Sequence, residues 1–141
     1  MKKEEAQQII KLVRVAQRLG RDAGEKQYQK LLGEGDKFIV TDEMDGGKEV
    51  GRMLDVCGIG MLNIPGQGKI ARAFKMLAEK SPHGKDYRID GMQMYKQDRG
   101  YGLILWLTNR QEYSVNEEAV SMVASYLCSQ ELECNWRCNI D

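Results

Sequence analysis

Apolar and polar positions repeat with two different periods along this chain, and each change of period marks an element. Residues 3–19 carry Ala6, Ile9, Val13 and Ala16 at helical spacing, widened by Ile10, Leu12 and Leu19, with Lys11, Arg14 and Arg18 outside the stripe. This predicts an N-terminal amphipathic helix. Gly20 and Gly24 break the pattern, and a short second helix is expected over residues 25–32, stopped by Gly33-Glu34-Gly35-Asp36. Lys37 to Thr41 reads as a short strand, and the polar, Gly-rich run from Asp42 to Gly51 as a mobile loop.

The stretch from Met53 to Ala78 organises the rest. Leu54, Val56, Leu62 and Ile64 share one face of an extended segment, and Cys57, Ile59 and Met61 share the other. Apolar residues on both faces predict a strand buried on both sides. Gly58 and Gly60 argue against a helix, where each costs about 1 kcal/mol. In a strand they imply a bulge or a close approach to the backbone, so a kink is expected near Gly58. Pro65-Gly66-Gln67-Gly68 is a turn. Ile70, Ala73, Phe74, Leu77 and Ala78 then define a helix whose other side holds Lys69, Arg72 and Lys75. Ser81-Pro82-His83-Gly84 stops it.

Asp86 to Tyr95 reads as one half-exposed strand, bulged where the apolar face switches at Gly91. Gln97 to Gly100 forms a turn, and Tyr101 to Thr108 follows as a second doubly buried strand around Leu103-Ile104-Leu105-Trp106-Leu107. Ser114 and Glu117 have capping-box spacing ahead of Ala119, Val120, Val123, Ala124 and Leu127. Leu132, Cys134, Trp136 and Cys138 alternate with polar residues, as in a half-exposed strand. From Met53 onward the order is β-α-β-β-α-β, which predicts an α+β protein with a ferredoxin-like split core over about residues 53–139. Its first and third strands are central and its second and fourth lie at the edges. The expectation is a single domain over residues 1–141, with residues 1–50 as an N-terminal extension.

Composition sets limits. The chain is 42% hydrophobic and 30% charged with zero formal net charge, which disfavours a nucleic-acid mimic or a generally basic nucleic-acid coat. The balance hides a gradient. Residues 2–30 hold eight Lys/Arg against four Asp/Glu, and residues 111–141 hold Arg137 alone against six acidic residues. Such polarity favours a charged partner or self-association, so a homo-oligomer is compatible with it. No apolar run reaches the roughly 18 residues of a membrane span, and the charged N-terminus has no signal-peptide core. A cytoplasmic protein with reduced Cys57, Cys128, Cys134 and Cys138 is expected.

The chemistry-bearing residues are sparse. Gly66, Gly68, Lys69 and Arg72 open a helix, where free amides and the dipole hold anions, although the spacing is not that of a Walker loop. Lys11, Arg14 and Arg18 form a basic helix face that could follow a nucleic-acid backbone. Cys57 has the chain's one histidine, His83, across a helix, so a buried structural cysteine is the expected reading. Cys134 and Cys138, four apart on a strand, stand about 13 Å apart, too far to share a zinc ion that needs ligands at about 2.0–2.3 Å. No metal site and no cofactor are expected. The carboxylates at Glu112, Glu117 and Glu118 read as a solvated helix start, with Glu117 serving as a cap. Tyr95, Tyr101 and Trp106 invite comparison with RNA-stacking sheets, but the RNP1 pattern is missing and Trp106 is expected in the core. No catalytic constellation emerges, and a non-enzyme is expected.

Several short motifs from Asp55 onward resemble a family of small phage and prophage proteins. Asp55-Val56-Cys57-Gly58 is similar to that family's CG-x-x-W-V-x-I strand, and Gly66 to Phe74 to its G-N-x-K-x-x-R-x-[LF] helix start. Trp106 followed by Asn109-Arg110-Gln111-Glu112-Tyr113-Ser114-Val115 resembles a W-x-x-x-x-N-Q-S-x segment, and Arg137 to Asp141 a terminal S-R-x-D. The resemblance spans about the last 87 residues. Met61 stands where the family usually has an aromatic, and the first 50 residues lie outside the pattern. The resemblance implies viral origin and location in the host bacterial cytoplasm. The expected role is that of an accessory factor acting by binding, for example against a host defence system. Its partner would be a host protein or a small anionic ligand such as a signalling nucleotide, with a nucleic-acid-binding module and a small enzyme as alternatives.

Overall fold

The computed structural model describes residues 1–34, 38–41, 49–53, 58–82, 84 and 86–140, with 38–41, 49–53, 58–59 and 140 described through backbone pairing alone. Cys57, expected as a buried structural cysteine, and His83 lie outside the described residues, as do Leu54, Asp55, Val56, Asp141 and most of the 42–51 segment.

Helix α1 runs unbroken over Lys3–Glu34. It does not stop at Gly20 or begin again after Gly24, as the residue pattern alone predicts. Both glycines are buried against α3 (Tyr113–Ser129). A Cβ at Gly20 would lie 2.6 Å from Val123 Cγ2 and 2.9 Å from the Ala119 carbonyl oxygen. Ala16, Gly20 and Gly24 therefore act as a small-residue seam that lets the two helices approach closely, and the burial gained there offsets their poor helix propensity.

Strand β1 (Phe38–Thr41) pairs antiparallel with β2 (Glu49–Met53) in a separate two-stranded sheet. Glu49 to Gly51, expected in the loop, thus belong to a strand, and Met53 does not share a strand with Ile64. The main sheet uses β3 (Gly58–Ile64), β4 (Glu79–Lys80), β5 (Asp86–Ile89), β6 (Met92–Lys96), β7 (Tyr101–Ile104) and β8 (Asn135–Ile140), in the order β4-β5-β6-β7-β3-β8, all antiparallel. The protein is α+β with β3 and β7 central and β8 at an edge.

The region expected as one bulged strand is instead the hairpin β5–β6. Ile89 pairs with Met92, and Gly91 at φ +74° supplies the left-handed turn residue.

Helices α1, α2 (Lys69–Leu77) and α3 contribute to one core with a single sheet face. Leu62, Ile64, Met94, Leu103 and Leu105 meet Val13, Ala16, Ile70, Phe74, Val120, Val123 and Leu127 there. Gln17, 3% exposed, is a polar residue inside this layer. Its Nε2 donates to the carbonyls of Gly91 at 3.0 Å and Leu105 at 2.6 Å, tying α1 to the ends of the β5–β6 turn and of β7.

The strands expected to be buried on both faces are buried on one. Met61, Asn63, Gln93, Tyr95 and Ile104 alternate with the core residues and remain half-buried on the opposite face, with Arg88 and Arg137 exposed beside them. An antiparallel sheet needs only one covered side. On this second face Met61 Sδ receives Tyr95 Oη at 2.6 Å and Arg137 Nη2 at 3.1 Å. Gly60 fulfils the expected close approach: a Cβ there would sit 3.0 Å from both the Asn116 carbonyl oxygen and Val120 Cγ1 of α3. Helix α3 starts at Tyr113 with Glu112 at its N-cap, so Ser114 lies in the first turn and the capping box is not formed. The Tyr113 hydroxyl donates to the Cys138 carbonyl at 3.1 Å, and the nearby Glu117 carboxylate raises the tyrosine's pKa. Among the described residues no helix is long and apolar enough to cross a membrane.

Candidate functional site

A concavity opens where β3 and β7 part. Their pairing covers only Leu62 to Ile64 with Leu103 to Tyr101, while β3 continues against β8 through Met61 and Gly60. On the β7 side the chain turns away at Trp106, whose backbone is left-handed at φ +51°. A bulky residue seldom adopts this conformation, which costs on the order of 1–3 kcal/mol. The indole is carried outward and is 60% exposed, not in the core. The run Leu103 to Leu107 accordingly ends as a strand at Ile104.

The resulting cleft has a volume of about 380 Å³, in the range of small-ligand sites of roughly 300–1,000 Å³. Gly60, Met61, Leu103 and Val120 form its floor, and Trp106, Thr108, Arg110, Gln111 and Asn116 its rim. Trp106 also walls a broader hollow of about 640 Å³ against Arg88, Asp90 and Gln93. Trp106 therefore lines both concavities.

The rim is held by specific bonds. Asn116 Nδ2 donates to the carbonyls of Arg110 and Glu112, both at 3.1 Å, which fixes the loop before α3. The Arg110 guanidinium lies 3.7 Å from the Tyr28 ring centroid and 3.8 Å from Glu25 of α1. Both ion-pair partners are exposed, so that pair contributes little, and the stacked ring does more to orient the cation. Arg21 Nη2 donates to the Trp106 carbonyl at 3.4 Å.

The predicted residues fall into two groups at opposite ends of the central strands. Gly66, Gly68, Lys69 and Arg72 sit beyond the Ile64–Tyr101 end. Gly68 is the N-cap of α2, Lys69 and Arg72 are exposed, and the Gly66 carbonyl is taken by Lys75 Nζ at 3.2 Å. Lys75 also lies 4.8 Å from the Tyr101 ring centroid, on the helix-covered side. Tyr101 thus lies on the helix-covered face and Tyr95 on the other, so Tyr95, Tyr101 and Trp106 do not line up on one face as an RNA-stacking sheet would need.

Lys11, Arg14 and Arg18 lie along α1 on the flank that passes the Gly91 turn, and a Cβ at Gly91 would lie 3.5 Å from an Arg14 guanidinium nitrogen. The structure brings this basic flank to the Trp106 end.

Arg21, Arg110 and Asn116 were not legible as site residues. Arg21 continues the Lys11, Arg14, Arg18 spacing by three residues, a signal that is lost when the helix is ended at Gly20. Among the described residues no group of three or more His, Cys, Asp or Glu side chains could hold a metal ion. Comparison of the chain with protein-family models, with curated proteins and with solved structures finds no match.

Proposed function

We propose that this protein acts by binding, and that its ligand is a small molecule joining a planar ring to an anionic group, such as a nucleotide, held in the cleft beside Trp106. The observation that carries this reading is the indole itself, exposed on a strained backbone at the mouth of an apolar cleft with Arg110 on its rim. An aromatic in that position offers a ring face for stacking, and the arginine a charge and planar donors for an anion. The motifs that resemble phage and prophage proteins suggest the setting: a non-enzymatic accessory factor in a host bacterial cytoplasm, acting on a defence system through a signalling nucleotide or a host protein. We read the core as the ferredoxin-like split arrangement, on the strength of the order β8-β3-β7-β6, with β4 and β5 as additions at the edge.

The test is a fluorescence titration of Trp136→Phe, which leaves Trp106 as the chain's one tryptophan, with mononucleotides and cyclic dinucleotides. Saturable quenching by at least one is expected. Stacking on an aromatic contributes about 1–3 kcal/mol, so Trp106→Gly should weaken that ligand roughly 5- to 150-fold when measured by calorimetry. Arg110→Ala should weaken it as well. An absence of saturable quenching with every nucleotide up to millimolar concentration would overturn the reading.

A second reading rests on the basic flank of α1. Lys11, Arg14, Arg18 and Arg21 lead to the same end of the molecule as Trp106, as a single strand of nucleic acid would require. Binding of an oligonucleotide that falls steeply with added salt and is lost in a Lys11, Arg14, Arg18 triple alanine variant would favour it.

A further inference from the structure

We propose that Cys128 and Cys134 form a reversible intramolecular disulfide by exchange with a low-molecular-weight disulfide such as oxidised glutathione. The two sulfurs lie 3.9 Å apart in the thiol state. Their proximity is built by the backbone. After Cys128 the chain leaves α3 through a turn in which Gln130 N donates to the Tyr126 carbonyl at 3.2 Å and Leu132 N to the Leu127 carbonyl at 2.9 Å. Glu131 takes the left-handed conformation, φ +61°, that reverses the chain. Buried Leu132 then anchors the return, and Cys134 enters the core directly beneath the last turn of α3, with its Sγ 3.8 Å from the Ala124 carbonyl oxygen.

The two thiols differ in a way that orders the steps. Cys128 is exposed and Cys134 buried. The Cys128 thiolate attacks one sulfur of the small disulfide, forming a mixed disulfide and releasing one small thiolate, which takes a proton from solvent. Cys134 then loses its proton and attacks the Cys128 sulfur, releasing the second small thiolate. Two protein thiols are oxidised and one small disulfide is reduced to two thiols. The second step is intramolecular, and the adjacent sulfur gives it a high effective concentration.

In the return direction an incoming thiolate reaches Cys128 and must expel Cys134. Burial, and then the neighbouring Cys128, push the Cys134 thiol up to about 12, which makes it a slow leaving group. Once formed, the bridge ties the end of α3 to the residue that leads into the edge strand β8.

The sequence offers a clean readout. Residues 111–137 contain no Lys or Arg before Arg137, so trypsin releases both cysteines in one peptide, while Cys57 and Cys138 fall in others. The full chain is incubated with oxidised glutathione, unfolded, alkylated and digested. The expected product is a 111–137 peptide free of alkyl groups and lighter by two hydrogens than the reduced peptide, with Cys138 alkylated. In Cys134→Ser, glutathione should instead remain attached at Cys128. The proposal is overturned if the wild-type 111–137 peptide carries a lasting glutathione, is alkylated at both cysteines, or is linked to Cys57 or Cys138.

Discussion

Alanine at Gly20 and at Gly24 should move stability in opposite directions. Helix propensity alone predicts that both gain about 1 kcal/mol, since both glycines lie inside α1. The packing against α3 separates them. At Gly20 the new methyl would stand 2.6 Å from Val123 Cγ2 and 2.9 Å from the Ala119 carbonyl oxygen. The second neighbour is backbone and cannot rotate away, so the helices must part. Overpacking of this kind costs about 1–3 kcal/mol, and a contact with rigid backbone belongs at the upper end. After the propensity gain the net loss is about 1–2 kcal/mol. At Gly24 the nearest atoms would be Ala119 Cβ at 3.3 Å and the Val115 carbonyl oxygen at 3.5 Å. A shift of a few tenths of an ångström suffices there, propensity wins, and Gly24→Ala should gain roughly 0.5–1 kcal/mol.

Urea unfolding followed by circular dichroism measures both variants against the parent, with m-values checked for constancy. At roughly 4 °C per kcal/mol for a chain of this size, melting should separate the two variants by about 10 °C. Equal gains would mean that α1 does not meet α3 at Gly20. Equal losses would mean that the helix breaks between residues 20 and 24, as the bare residue pattern suggests.

Two further outcomes follow from the described geometry. Gln17→Leu keeps the helix and approximate volume but leaves the Gly91 and Leu105 carbonyls without their donor, and should cost about 2–3 kcal/mol in urea unfolding; a variant as stable as the parent would show that the two bonds carry no weight. Burial pushes Cys134 up to about 12 and Cys138 up to about 11 from 9.0, so the folded state holds these protons more tightly than the unfolded chain. Their contribution is therefore complete below pH 9 and is lost as the pH climbs toward the folded-state values. Under reducing conditions Cys134→Ala should show a shallower fall of the urea midpoint between about pH 8.5 and 10.5 than the parent, and equal slopes would count against the shift.

Much of the fold is written in local pattern. The stripe from Ala6 to Ala16 marks the start of α1, the Ile70 to Leu77 spacing marks α2, and the Leu132 to Cys138 alternation marks the last strand and its inward face. These signals are legible because an amphipathic element repeats its own period within a few residues, whatever it later packs against. Paired glycines, by contrast, read as a helix break at Gly20 and Gly24 because propensity is a local quantity. The close approach of α3 that makes them favourable involves residues about a hundred positions away. Gly91 is similarly ambiguous between a bulge and a tight turn until Ile89 is seen to pair with Met92.

The candidate site is the least legible part, for the same reason. Nothing near Trp106 in the sequence distinguishes a core indole from one turned outward, because an apolar run looks alike in both cases. Its exposure follows from where β3 and β7 cease to pair, and from Gln17 of α1 holding the Leu105 carbonyl just before it. Arg110 becomes a rim residue only because Tyr28, far away in the chain, lies beneath its guanidinium. The sequence by itself determined where the apolar stripes of α1 and α2 and the inward face of the last strand lie. The tertiary structure alone decided which apolar faces are covered, because among the described residues α1, α2 and α3 all pack on the same side of a sheet with two sides.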